Sequence, residues 1–250
     1  MAVALYLVYL LLPIALLALG SVGEVWTNTL LPTGVTLRWF GELAADASFR
    51  RAFGTSLIVA LATCVGTALL AVPLAYALHH RAGRAGALAA RLLAALPVAV
   101  PALTLGFGYI LVFSSDALPW LGSLPLLVAA HVVLTLPYMT QAVLADLRHL
   151  GLRELEACAA TLGAGPWAQF ATVALPSMRH SLVTGSVMVV ALSIGEFQLS
   201  NLIASFSHRT YPVVLLQAFY GATGYACAAT VVLLVLALLA AAVPARRTGA

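Results

Sequence analysis

Two groups of residues in this chain could do chemistry, and both sit inside apolar runs. The first is Glu196, followed by Gln198, Ser200 and Asn201; the second is His131, alone in LLVAAHVVLTLP. Glu196 lies about fifteen residues into its run, which at ~1.5 Å per residue is on the order of 22 Å from the start of a helix. An ionisable side chain at that depth is costly, and it faces a bundle interior or a water-filled path. Two uses follow: Glu196 lines a passage and attracts a cation, or it makes a structural hydrogen bond or ion pair between helices, and the second is favoured. Positions 196, 198, 200 and 201 do not form one narrow helical stripe, which predicts a partly unwound segment there. Glu196, Gln198, Asn201 and His131 are the candidates for lining a path. His131 reads first as a helix–helix hydrogen-bond partner, since no carboxylate or second histidine stands at metal spacing from it. His79 and His80, just before Arg81, read as interfacial, and no metal site is expected. A membrane-embedded hydrolase would need a nucleophile paired with a base at depth. His131 could be that base, but Gly-x-Ser-Gly and paired aspartates are absent, and Ser186 and Ser193 have no evident partner in the sequence.

The elements that must hold these residues follow from composition. Of 250 residues 63% are hydrophobic and 8% charged, with a mean hydropathy of +1.05, whereas a soluble domain carries about 25% charged residues. Apolar runs of about 20 residues, enough to cross a hydrocarbon core of ~30 Å, recur along the chain. The expected fold is therefore all-α, a single polytopic membrane bundle of about six transmembrane helices over 1–250, with spans near 3–20, 55–78, 92–114, 123–144, 181–204 and 223–243. Residues 40–54 read as a short interfacial helix. Pro73, Pro97, Pro101 and Pro137 fall inside spans, where neighbouring helices can satisfy the freed carbonyls. Placing both termini in the cytoplasm puts eight arginines inside and four outside, the better of the two orientations. All twelve basic residues are arginine; without a lysine the chain has no Walker A loop to hold ATP phosphates. The net charge of +4 is too dispersed for nucleic acid, and Cys64, Cys158 and Cys227 form no framework.

One stretch outside the spans is unusually shaped. Within the expected cytoplasmic loop 145–180, Leu152, Leu155, Ala159 and Leu162 recur at helical steps while Arg153, Glu154 and Glu156 face away. Gly163 can close that helix in the left-handed conformation, Gly165 permits a second bend, and Pro166 suits the first position of a new helix. That second helix is expected to stop before Pro176. A rigid helix-turn-helix of this kind, outside the membrane, predicts a docking surface for another protein.

The stretch EACAATLGAGPWAQFATVALP resembles the cytoplasmic signature of the permease subunits of binding-protein-dependent ABC importers: Glu-Ala-Ala, three residues, Gly, nine residues, an aliphatic, one residue, Leu-Pro. The segments FGTSLIVALATCVGTALLAVPLAYAL, LPVAVPALTLGFGYILVF and ALSIGEFQLS resemble the family's second, third and fifth helices. Gly163, Val173, Leu175 and Pro176 fall on the signature positions, whereas Ala157 stands where the family has its glutamate and Glu156 lies one position early. The resemblance implies a coupling loop carrying Glu154, Glu156, Ala157, Gly163, Gly165, Leu175 and Pro176. It further implies two ATP-binding subunits holding the ATP and Mg, a second permease chain and an extracytoplasmic solute-binding protein, assembled in a bacterial inner membrane. No enzymatic activity of the chain's own is implied. By resemblance the solute leans toward a polyamine or an aminophosphonate. The alternatives are an ion-coupled secondary transporter, which often shows internal hydropathy repeats and would not need the shaped loop, and an intramembrane enzyme.

Overall fold

In lipid every backbone polar group must be bonded within its own segment, so long apolar runs become helices. The computed structural model describes residues 2–26, 29, 31–80 and 84–245. Helices α1 (Ala2–Val22), α3 (Ala47–His80), α6 (Leu124–His149), α10 (Arg179–Gly195) and α13 (Thr223–Ala245) are the long elements. Between them lie a hairpin of β1 (Gly23–Val25) and β2 (Thr33–Val35), paired antiparallel with Gly23 opposite Val35, and α2 (Arg38–Ala45). Shorter helices are α4 (Arg84–Ala99), α5 (Ala102–Phe113), α7 (Leu152–Thr161), α8 (Pro166–Gln169), α9 (Leu175–Ser177), α11 (Gln198–Ile203) and α12 (Tyr211–Phe219). Arg81, Arg246 and Arg247, three of the eight arginines counted as inside above, lie outside the described residues.

Two of the expected spans are broken, the second of them where the polar residues had pointed to partial unwinding. The run 92–114 divides at Val100, because Pro101 disfavours helical geometry in the residue before it and instead starts α5 with φ −59° and ψ 142°. The run 181–204 divides at Glu196, extended at φ −73° and ψ 121°, after which α11 begins. The interfacial helix expected at 40–54 is also corrected. Asp46 ends α2 with φ −68° and ψ 114°, and the remainder belongs to α3, which is 34 residues long. Among the described residues, Leu5–Val22, Ala47–His80 and Leu124–His149 are each long and apolar enough to cross a membrane unbroken.

Asp46 fastens that corner. One carboxylate oxygen accepts the Ser48 amide at 2.7 Å and the other the Tyr225 hydroxyl at 2.9 Å. Burial works to raise its pKa, but the bonds from Tyr225, Ser48 and Phe49 and the charge of Arg50 outweigh burial and hold it below the ordinary carboxylate value. Because the folded value is depressed, this contribution to stability is present above the usual carboxylate range and fades as acid protonates the folded group.

The centre of the bundle is α3 against α6 and α10. Thr67 and Thr135 bridge α3 and α6 with hydroxyls 3.0 Å apart, and Ala71, Met139 and Val189 pack beside them from the three helices. Gly185 on α10 is buried because Met139 fills the space a side chain would need. A small residue lets neighbouring helices approach closely. Gly185→Val is therefore expected to lower stability by about 1–3 kcal/mol, the usual cost of overpacking, read as a lower unfolding temperature in detergent; an unchanged temperature would contradict this packing. By contrast α1 packs chiefly along α13, Gly20 at its end lying against Cys227 near the start of α13. Most of its side chains, Leu5, Tyr6 and Tyr9 among them, are exposed.

Candidate functional site

The break after Gly195 exists because α10 stops there and its successor, α11, needs partners for its first amides. Glu196 supplies them: Oε1 accepts the Leu199 amide at 2.7 Å and Oε2 the Ser200 amide at 2.8 Å. The Ser200 hydroxyl also donates to Oε2 at 2.8 Å. With its hydroxyl hydrogen committed to the bond to Glu196, Ser200 Oγ accepts from His131 Nε2 at 3.0 Å; His131 Nδ1 then accepts the Ser193 hydroxyl at 2.8 Å. His131 Nε2 stands 3.7 Å from Glu196 Oε2. His131, Ser193, Ser200 and Glu196 are all buried. This is a closed polar lock that ties α6 to both halves of the broken helix, and Ser193, unpartnered in the sequence reading, has its partner in His131.

The lock decides what the adjoining space can do. A cavity of about 430 Å³ is lined by Leu134, Tyr138, Leu192, Gly195, Glu196, Phe197 and Gln198. Both carboxylate oxygens of Glu196 already accept hydrogen bonds within the lock, so the further groups the cavity offers are the Tyr138 hydroxyl, the Gln198 amide and carbonyls of the last turn of α10, which end without an intrahelical donor. Asn201 is exposed one turn further along α11. Gln198 and Asn201 thus lie beyond the lock, and His131 lies within it.

The shaped loop forms a compact knob at the other end of α6. At its turn Gly163 has φ +87°, and the Ala164 amide bonds Ala159 O at 3.1 Å while the Gly163 amide bonds Ala160 O at 3.0 Å. These are the two bonds of a Schellman motif. Gly165 makes no tight bend; it is extended, φ −70° and ψ 169°, and precedes Pro166 at the first position of α8. The second helix does not stop before Pro176. Residues Phe170–Ala174 widen into a π turn, so the helix carries Pro176, which has no N–H to donate, through to Ser177. It then bends by 61° into α10.

The faces of α7 also differ from the expected pattern. Leu152 and Glu156 point inward, and Leu155 and Leu162 point outward. Glu156 is buried because the last turn of α3 presents two donors to it. Its Oε1 accepts the Tyr76 hydroxyl at 2.8 Å, and its Oε2 lies 3.0 Å from His80 Nε2. His80, read as interfacial, is thus part of the knob's seat. Glu154, Ala157, Gly163, Gly165, Leu175 and Pro176 are exposed. With Leu162 89% and Trp167 77% exposed, the outer surface carries an apolar patch of the kind that marks an interaction site. No described group of His, Cys, Asp and Glu could hold a metal ion.

At the opposite end of α3 a recess of about 240 Å³ is lined by Ser48, Arg51, Ala52, Phe206, Ser207, Arg209 and Val214. Both arginines are pinned. Arg51 Nε donates to Ala47 O at 3.3 Å, and Arg209 lies over the Phe206 ring at 4.3 Å while donating to Gln217 at 3.1 Å. No carboxylate is among the lining residues. The sequence reading counted both arginines only toward the orientation of the chain and not as a site, since neither stands in a motif and 158 positions separate them.

Comparison with known proteins agrees with this architecture. A protein named for 2-aminoethylphosphonate transport, the permease PhnV of Salmonella typhimurium, is 28% identical over 239 residues, 95% of this chain and 89% of its own. The putrescine transport system permease protein PotI of Escherichia coli is 25% identical over 186 residues, 73% of this chain and 66% of its own. The fold matches a chain of a bacterial ABC transporter involved in the import of the acidic polysaccharide alginate, with a TM-score of 0.76 and 16% identity, covering 98% of this chain and 92% of that one. Residues 69–245 match the model of the binding-protein-dependent transport system inner membrane component, a range that takes in the knob, the lock and most of the bundle core. The chain belongs to that family: it is a multi-pass inner-membrane permease subunit of a binding-protein-dependent ABC importer.

Proposed function

We propose that this permease passes a small phosphonate- or phosphate-like oxyanion, 2-aminoethylphosphonate being the favoured solute. We propose further that it pairs with a second permease chain, that two ATPase subunits holding ATP and Mg seat on the knob, and that a solute-binding protein delivers to the opposite face. In this arrangement both termini are cytoplasmic and the chain catalyses no reaction itself. The observation that carries the reading is the knob, a rigid helix-turn-helix whose inner face is bonded to the bundle and whose outer face is apolar and exposed. The preference for an anion is supported by the relative matched over 95% of the chain and by the two pinned arginines of the outer recess.

Purification of the tagged chain in mild detergent is expected to bring an ATPase subunit with it, and the triple change of Leu155, Leu162 and Trp167 to serine is expected to remove it. A chain that comes alone would favour an independent transporter. For the solute, uptake into proteoliposomes holding the whole transporter is expected to be blocked by excess 2-aminoethylphosphonate and not by putrescine. Arg51→Gln with Arg209→Gln should lower that uptake about tenfold, the ~1.4 kcal/mol scale of one lost charge-assisted bond.

A further inference from the structure

The knob is joined to the bundle by polar bonds as well as packing, and these converge on the last turn of α3. Tyr76 and His80, one turn apart, hold the two oxygens of Glu156. Arg153 Nη2 donates to His79 O at 2.7 Å and to His80 O at 3.4 Å, satisfying carbonyls that a helix end leaves open, with the sign of charge that such an end favours. The Tyr76 ring meets Phe170, on the second helix of the knob, edge-on at 5.0 Å between centroids. Both helices of the knob are therefore tied to one turn of one transmembrane helix.

We infer that Glu156 is a positioning residue that fastens the knob to α3, so that the two move as a single lever; this rests on the permease reading above. The physical reason is its burial. Sliding α7 away from α3 strips a carboxylate that is only 5% exposed of both partners, and an unpaired buried charge is far more costly than an exposed one. Other contacts of the knob, among apolar side chains, can shear with less loss. The lever has something to act on, because α3 reaches α6 through Thr67 and Thr135, and Thr135 donates to the carbonyl of His131 at 2.8 Å. Motion at the knob is thus delivered by α3 to the helix that holds the polar lock. The family signature places an acidic residue at position 157, where this chain has an exposed alanine. The carboxylate one position earlier serves the chain's own interior.

The test uses the complete transporter in proteoliposomes and measures ATP hydrolysed per solute imported. Glu156→Ala is expected to raise that ratio about tenfold or more, the scale of losing a hydrogen-bonded buried charge, while the ATPase subunit still co-purifies. Glu156→Gln, which can still accept the Tyr76 hydroxyl, is expected to raise it less, and Tyr76→Phe to raise it too. A second arm does not depend on the alanine variant folding. With the native cysteines replaced, His80→Cys and Glu156→Cys are joined by a short thiol crosslinker, and uptake is expected to persist in the joined state. A wild-type ratio in Glu156→Ala, or uptake that stops on joining and returns on cleavage, overturns the lever. Loss of ATPase binding in Glu156→Ala, with binding kept in the wild type, also overturns it and makes Glu156 a docking contact. An ATPase that never binds the wild type overturns the permease reading itself, and the lever with it.

Discussion

Replacing Glu196 with alanine is expected to unfold α11 while leaving the rest of the bundle in place. The change removes the acceptor for the amides of Leu199 and Ser200 and for the Ser200 hydroxyl. Bonds to a charged acceptor are each worth about 1.5–3 kcal/mol, and buried donors left without one cost more than the bond alone suggests. The three bonds are not additive, since they share one carboxylate, so the expected loss is about 3 kcal/mol or more. Hydrogen exchange in detergent should show the amides of residues 199 and 200 losing protection, together with a lower unfolding temperature. Glu196→Gln keeps one good acceptor and should lose about half as much. Because both oxygens are engaged in the lock, uptake of 2-aminoethylphosphonate in either variant should fall without putrescine becoming a competitor. A variant that exchanged solute preference while keeping its amides protected would place Glu196 on the path as a charge filter.

Gly163→Val is expected to separate ATP hydrolysis from uptake. A Cβ at this position would meet nothing within 4 Å, so the substitution causes no collision. The penalty is in the backbone: φ is +87°, and a left-handed conformation costs an ordinary residue ~1–2 kcal/mol, with β-branched residues among the worst placed. Relief requires the turn to open, which breaks the Schellman pair and turns α8 relative to α7. Since both helices are anchored below, the distortion falls on the exposed surface of Leu162 and Trp167. Insertion and thermal stability of the bundle should be close to wild type, whereas solute imported per ATP should fall severalfold. Gly163→Asn, which tolerates the left-handed region better, should be milder. Gly165→Ala makes a control with little effect, its backbone being extended. Normal coupling in the valine variant would remove the turn from the path by which the ATPase acts.

How far the sequence disclosed this arrangement depended on how local each cause was. The long helices and the Gly163 turn were legible, because apolar length and a glycine after an amphipathic helix are local signals. The break at Val100 had its signal too, in the proline that follows, but the run on both sides was apolar enough to read as one span. Pro176 misled in the opposite sense, since a π turn let the helix carry a proline that normally ends one. The inward turn of Glu156 could not be read from its own helix. Tyr76 lies 80 positions away, and a carboxylate on an amphipathic helix ordinarily faces water. For the same reason Ser193 and His131, 62 positions apart, looked like two unrelated polar residues until the fold brought them to 2.8 Å.

The polar lock also bears on how the chain is made. Synthesis lays down α6, with His131 in its first third, 62 residues before Ser193 and 69 before Ser200. When α6 first meets lipid, its imidazole has neither of its eventual partners, although Thr135 already has Thr67 on the earlier α3. The segment that completes the set is itself a poor candidate for independent entry, being an apolar helix interrupted by a glutamate. Each half therefore carries polar groups that only the other satisfies, and a hairpin of α6 with α10 and α11 entering the bilayer together would satisfy both at once. The broken helix therefore predicts pairwise insertion: chains truncated before α10 should hold α6 in the bilayer less well than chains that extend past Ser200.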